Sequence, residues 1–308
     1  MITDRRGFAL VTTLWILVVL TGVLLMFEEV ARFERRAVAN AAELSRAHWA
    51  ARAAVAIVLD RLDRDPAGRS LGLRSTEIPD SAPQLVVFSM NDLPVTVSVE
   101  DTRARLHLNL ADGPALRRML AALGISRERA SALADAILDW RDPDGLRRPS
   151  GAEATEYLGL QPPVRPRDGP FATPEEVREV LGIDPELSAR LIPYLTTLGD
   201  GSINVNAAPL PVLATLPGVS LAGAQRLAAA RDAIPFRNIY ELTAALPAAD
   251  QRAVERQREE FTNRVAFGPR VVELVVTAGR RGSNVGTRLR VALLLGGGSA
   301  SQILQVTE

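Results

Sequence analysis

From Phe8 to Phe27 the chain carries 20 residues without a charge, interrupted only by three threonines and Gly22. A hydrocarbon layer ~30 Å thick needs roughly 20 helical residues, so this run predicts a membrane-spanning helix. The apolar pattern then changes without stopping. Val30, Phe33, Ala37, Ala41, Leu44, His48, Ala51, Val55, Val58 and Leu62 recur at steps of three and four, which predicts one stripe of a continuing helix. Gly22 is the only glycine and there is no proline from Phe8 to Arg64; Pro66 and Gly68 then end the pattern. A helix of that length extends ~85 Å. Its alanine-rich stripe suits close approach by neighbouring helices, or packing on the chain's own domain.

Alternation replaces the helical period at 84–90, 93–101 and 103–110, and the last two are spaced for a hairpin. Strand character returns only at 270–281, 287–296 and 301–308, with the glycine-rich stretch near 296 read as a turn. The fold class that follows is α+β: a long N-terminal transmembrane helix packed on an antiparallel sheet, interrupted by an all-α insertion. Separate sheets in two domains are the alternative.

The insertion repeats itself. Asn109, Pro114, Leu116, Gly124 and Ser126 in one segment match Asn206, Pro211, Leu213, Gly218 and Ser220 in another. A weaker third copy centres on Gly182 and Asp184. Glycine closing one helix and Ser or Asp capping the next predict a helix, a tight hairpin and a second helix in each copy. The unit resembles the helix-hairpin-helix and SAM-like folds. DNA-binding hairpins usually carry a second glycine two residues after the first, where this chain has Ser126, Asp184 and Ser220. The copy with Arg226, Arg231 and Arg237 leaves weak contact with DNA open.

Between the first two helical units, "DWRDPDG" brings Asp139, Asp142 and Asp144 together at a Pro-Gly turn, and Glu153 and Glu156 follow. Such a loop suits a hard cation that takes oxygen ligands, though not in EF-hand spacing; a solvated acidic turn accounts for the same residues. Composition narrows the chemistry further. Lys plus Arg and Asp plus Glu both number 36, so no global charge draws the chain to nucleic acid. With no cysteine, and with His48 and His107 far apart, thiolate and histidine sites drop out. Neither a nucleophile motif nor a phosphate loop accompanies the carboxylates, which disfavours a membrane-anchored hydrolase.

The punctuation of the N-terminus is unusual. Arg5, Arg6 and Gly7 precede the apolar run, and no small-residue cleavage site follows it. Arg5 and Arg6 favour a cytoplasmic N-terminus. This start resembles the signal of type IV prepilins and pseudopilins, which implies a leader of residues 1–7, prepilin peptidase cleavage between Gly7 and Phe8, and N-methylation of Phe8. The fifth residue after the cut is Thr12, where most pilins have glutamate. Together with "DWRDPDG…GAE…Y", "DGPF" and "INVNAAP", this order of features resembles the minor pseudopilin K family of type II (general) secretion systems.

The resemblance implies a pilin-like layout. Residues 8–27 would span the bacterial inner membrane and 28–65 extend the helix into the periplasm. The sheet would comprise 66–110 and 266–308, with the helical domain inserted at 111–265. It implies a non-enzymatic subunit at the tip of the pseudopilus, joined to minor pseudopilins I and J. It also implies calcium at Asp139, Asp142, Asp144 and Glu153; Asp168 is not counted as a ligand. The other functional reading is a DNA-binding minor pilin or receptor of a competence-type system.

Overall fold

A computed structural model of the chain describes residues 5–64, 85–90, 93–279, 285–296 and 300–307. Residues 1–4 of the expected leader, Pro66, Gly68 and the centre of the glycine-rich turn lie outside the described residues. The side chain of Phe8 is also outside the description, although its backbone, like that of Gly7, belongs to the first helix.

That helix, α1 (Arg5–Arg64), is continuous over 60 residues, as the absence of proline permits. Its segment from Val11 onward is long and apolar enough to cross a membrane, and the apolar window is unburied. Below it, α1 packs on a five-stranded antiparallel sheet of β1 (Leu85–Met90), β2 (Leu93–Asp101), β7 (Val271–Gly279), β8 (Gly286–Leu294) and β9 (Gln302–Thr307). The strands lie side by side in that order. Ala47, Ala51, Ala54, Val58 and Leu62 settle against Val95, Val97, Val276, Leu274 and Val291. Alanine lets the helix axis approach the sheet closely, while alternate β-branched residues fill the facing layer.

The expected stripe needs correction along its length. The buried face runs through Ala47, Ala50, Ala51 and Ala54, whereas Val30, Phe33 and Leu44 are exposed. Among the described side chains, the buried stretch of the helix is the part that overlies the sheet. Ala51 is therefore core, not a contact reserved for another subunit.

The hairpin expected between 93–101 and 103–110 does not form. β2 instead pairs with β1 on one side and with β7 on the other. After Asp101 the chain makes a 3₁₀ turn, Thr102–Ala104, and then β3 (Leu106–His107) pairs in parallel with β4 (Leu195–Thr196) inside the helical body. The Asp101 carboxylate caps the turn through the Arg103 N–H, which explains the abrupt change of direction.

The helical body leaves the sheet at the end of β2 and returns at the start of neighbouring β7, where Thr102 Oγ1 donates to the Val271 carbonyl at 2.9 Å. Within it, α2 (Gly113–Ala122) and α3 (Arg127–Arg141) are followed by α4 (Ala154–Leu158) and α5 (Pro185–Leu191). Next come β5 (Ile203–Asn204), α6 (Leu210–Leu213), α7 (Leu221–Ala233), α8 (Ile239–Ala244), α9 (Ala248–Arg256), α10 (Arg258–Arg264) and β6 (Val265–Ala266). The third copy departs from expectation: a 3₁₀ turn, Pro174–Glu179, stands where its first helix was expected.

The repeat visible in the sequence is a repeat of bonds. Asn109 accepts from and donates to the backbone of Phe171, and Asn206 does the same with Phe236. Arg141 holds the carbonyls of Leu108 and Ala111; Arg231 holds those of Val205 and Ala208. β5 pairs in parallel with β6, as β3 does with β4. Gly124, Gly182 and Gly218 all take positive φ, between 76 and 86°, a conformation that favours glycine. Ser126, Asp184 and Ser220 cap the following helices. One difference stands out: Arg231 and Phe236 are joined by a short turn, while Arg141 and Phe171 are joined through the acidic loop.

Candidate functional site

Two features of the chain are candidates for function, the uncovered length of α1 and the acidic loop. On α1, Trp15, Phe27, Phe33, Val38 and Trp49 are among the large apolar side chains that stand exposed. Exposed Trp49 lies two residues from buried Ala47 and two from buried Ala51, so it points away from the sheet. Glu28 and Arg32 pair one turn apart at the end of the apolar run. Such a helix has more apolar surface than a water-soluble element would expose.

The acidic loop is built at the end of α3. Trp140 packs edge-on against Tyr157, with ring centroids 5.1 Å apart, and stacks on Phe171. Arg141 turns back to its carbonyls, so the backbone breaks into extended conformation at Asp142. Asp139, 1% exposed, faces the loop from the last turn of α3. Its Oδ2 accepts the Arg148 N–H at 3.1 Å, and its Oδ1 meets Arg148 Nη1 at 2.5 Å. The same Nη1 donates to Asp142 Oδ2. Glycine is required at 151, since a Cβ there would stand 1.8 Å from Asp139 Oδ2.

The other acids are placed differently. Exposed Asp144 accepts the Leu146 N–H at 2.8 Å and so shapes the turn. Glu153 precedes α4 and is 8% exposed; its own N–H is held by Glu156, which also pairs with Arg147. Glu153 Oε1 and Asp142 Oδ1 are buried without a hydrogen-bond partner. Burial, reinforced by the charges of Asp139, Asp142, Asp168 and Asp144, pushes the Glu153 carboxyl above its ordinary pKa. Burial also raises Tyr157 to about 12, and its hydroxyl accepts the Leu181 N–H.

Asp139, Asp142, Asp144 and Glu153 therefore share one neighbourhood, in unequal roles. Their oxygens have the chemistry a hard cation uses. As they stand, no three acidic or imidazole side chains among the described residues are grouped to hold an ion. Arg148 occupies the position between Asp139 and Asp142. Sequence reasoning missed it, because "LRRPSG" reads as an ordinary basic loop until the fold bends it back.

The two histidines serve elsewhere. Buried His107 accepts the Asn109 N–H through Nδ1, and burial lowers its pKa. His48 lies edge-on to Trp49 on α1. The basic residues weighed for DNA also disperse: Arg231 is committed inside the body, whereas Arg226 and Arg237 are exposed. At the hairpin before α7, Asp250 Oδ2 accepts both the N–H and the hydroxyl of Ser220. A phosphate approaching that hairpin would meet a carboxylate.

The long helix, the sheet and the helical body split by an acidic loop have counterparts in known proteins. Residues 88–200 and 203–267 match the family described as type II secretion system (T2SS), protein K. The chain belongs to that family. The protein K of Aeromonas hydrophila is 30% identical over 274 residues, covering 79% of this chain and 81% of the relative. That of Pectobacterium carotovorum subsp. carotovorum is 26% identical over 281 residues, covering 82% and 84%. Among solved structures, the GspK-GspI-GspJ complex from the enterotoxigenic Escherichia coli type 2 secretion system contains a chain of the same fold. That match has a TM-score of 0.64 and 20% identity, and covers 86% of this chain and 97% of the other. Membership makes the protein a minor pseudopilin of a type II secretion system. Nothing in these relationships supports a DNA receptor.

Proposed function

We propose that this minor pseudopilin caps the pseudopilus, assembling through α1 with minor pseudopilins I and J. The carrying observation is the division of α1 into a part buried on its own sheet and a longer exposed part, uncharged as far as Phe27 and bearing Val30, Phe33, Val38 and Leu44 beyond it. The bulky helical body attached at the end of β2 favours an end position, because repeated copies of it would crowd a filament shaft. The solved relative of the same fold comes from a complex of proteins K, I and J, which supports the same partners here.

Processing and topology follow the same reading. Prepilin peptidase removes residues 1–7 by cutting between Gly7 and Phe8, and Phe8 is N-methylated. Residues 8–27 hold the protein in the inner membrane with the N-terminus cytoplasmic. Residues 28–65 and the pilin-like sheet are periplasmic, and 111–265 form the core of the inserted SAM-like domain. The hairpin glycines and caps support that assignment. The subunit's role is structural, and the loop bearing Asp139, Asp142, Asp144 and Glu153 takes calcium, as its oxygen donors and two unpartnered carboxylate oxygens support.

The assembly claim is tested by co-purifying the full chain in detergent with pseudopilins I and J. Ala41→Glu and Trp49→Glu change exposed positions, so both variants should keep the thermal transition of the parent and lose the partners. Retention of both partners by both folded variants would refute assembly through α1.

A further inference from the structure

We infer that Arg148 is the resident cation of the acidic loop, and that its guanidinium must leave the Asp139–Asp142 pair before the loop can take calcium. This rests on the calcium reading above. Arg148 reaches Asp139 through both its backbone N–H and Nη1, and reaches Asp142 through Nη1 as well. One group thus fills the position between two carboxylates, as a metal ion would.

The arrangement is incomplete in a way that points to a second occupant. Asp142 Oδ1 and Glu153 Oε1 are buried and unpartnered, and the whole Glu153 residue is only 8% exposed. Burying a carboxylate oxygen without a partner is costly, so the closed loop leaves binding capacity unused. Asp139, Asp142 and Glu153 carry three negative charges against the single charge of Arg148. The neighbouring basic residues are engaged elsewhere, Arg141 on backbone carbonyls and Arg147 on Glu156. A divalent ion with six to eight oxygen ligands would answer both the residual charge and the free oxygens.

The geometry also permits the exchange. The Asp139 side chain is wholly buried, but that of Arg148 is 35% exposed, so its head can swing into solvent without opening the core. A guanidinium is strongly favoured between paired carboxylates, so its departure must weaken calcium binding relative to the same acids without it.

The test titrates calcium chloride into the full chain in detergent micelles by calorimetry, with thermal melts in calcium and in chelator. Arg148→Gln should bind calcium about tenfold more tightly than the parent and melt lower than the parent in chelator. Equal or weaker binding by Arg148→Gln, with the parent binding, would overturn the exchange and leave the calcium reading standing. No binding by either would overturn the calcium reading and the exchange with it. If the glutamine variant does not fold, Arg148→Lys keeps a point charge without the planar fork. It should show a smaller gain in the same direction, and no gain would overturn the exchange.

Discussion

Asp101 joins the sheet to the helical body and carries a pH dependence. It ends β2, caps the 3₁₀ turn through Arg103 and accepts from Asn204 Nδ2 at 2.7 Å. Burial pushes its carboxyl up to about 6, although the bonds from Asn204 and Arg103 act in the opposite direction. The sign follows from proton binding. Between the ordinary carboxyl value of 3.8 and about 6 the folded chain holds a proton that the unfolded chain has released. Stability contributed by this group therefore falls as pH rises through that interval and is level above it. Asp101→Asn cannot ionise, but it keeps only one of the two acceptors and loses the bond from Asn204 at every pH. Its stability relative to the parent should therefore be higher at pH 7.5 than near pH 4, by on the order of 2 kcal/mol. Urea unfolding at both pH values checks this; an equal effect at the two would contradict it. Asp200 shows the opposite balance: burial would raise it, but bonds from Arg103 and Ser202 hold its carboxyl well below the usual range.

At the level of elements, the exposed and buried lengths of α1 predict opposite consequences for similar substitutions. Ala51 is 0% exposed beneath β2, β7 and β8, so Ala51→Glu should destabilise the isolated protein by on the order of 3–5 kcal/mol. A melting temperature unchanged from the parent would contradict that packing. Periodicity made the helix legible in full, because nothing interrupts it between Arg5 and Arg64. It did not reveal which length is covered, since alanine at steps of three and four satisfies a sheet and a neighbouring helix equally. The strands at 85–101 and 271–294 were legible from β-branched alternation. The 103–110 segment misled because Leu106, His107 and Leu108 are buried, but in the helical body rather than the sheet. Local pattern reports burial; it does not name the partner.

Across the whole molecule, the insertion arises from one sharp turn between neighbouring antiparallel strands, which lets the helical body enlarge without disturbing the α1–sheet core. Its internal repeat was legible in the hairpin glycines and caps. The matching Asn–Phe and Arg–carbonyl bonds were not, because Arg141 and Phe171 stand far apart in sequence while Arg231 and Phe236 are close. The candidate metal residues were legible as acids near one turn. Arg148 was not, because its approach to Asp139 and Asp142 depends on how the loop closes. The central claim joins this architecture to processing at Gly7 and assembly as a pseudopilin tip. Its most direct test is intact mass with N-terminal sequencing after co-expression with a prepilin peptidase. The account predicts a chain beginning at methylated Phe8, with residues 1–7 lost; a chain still beginning at Met1 beside an active peptidase would contradict it.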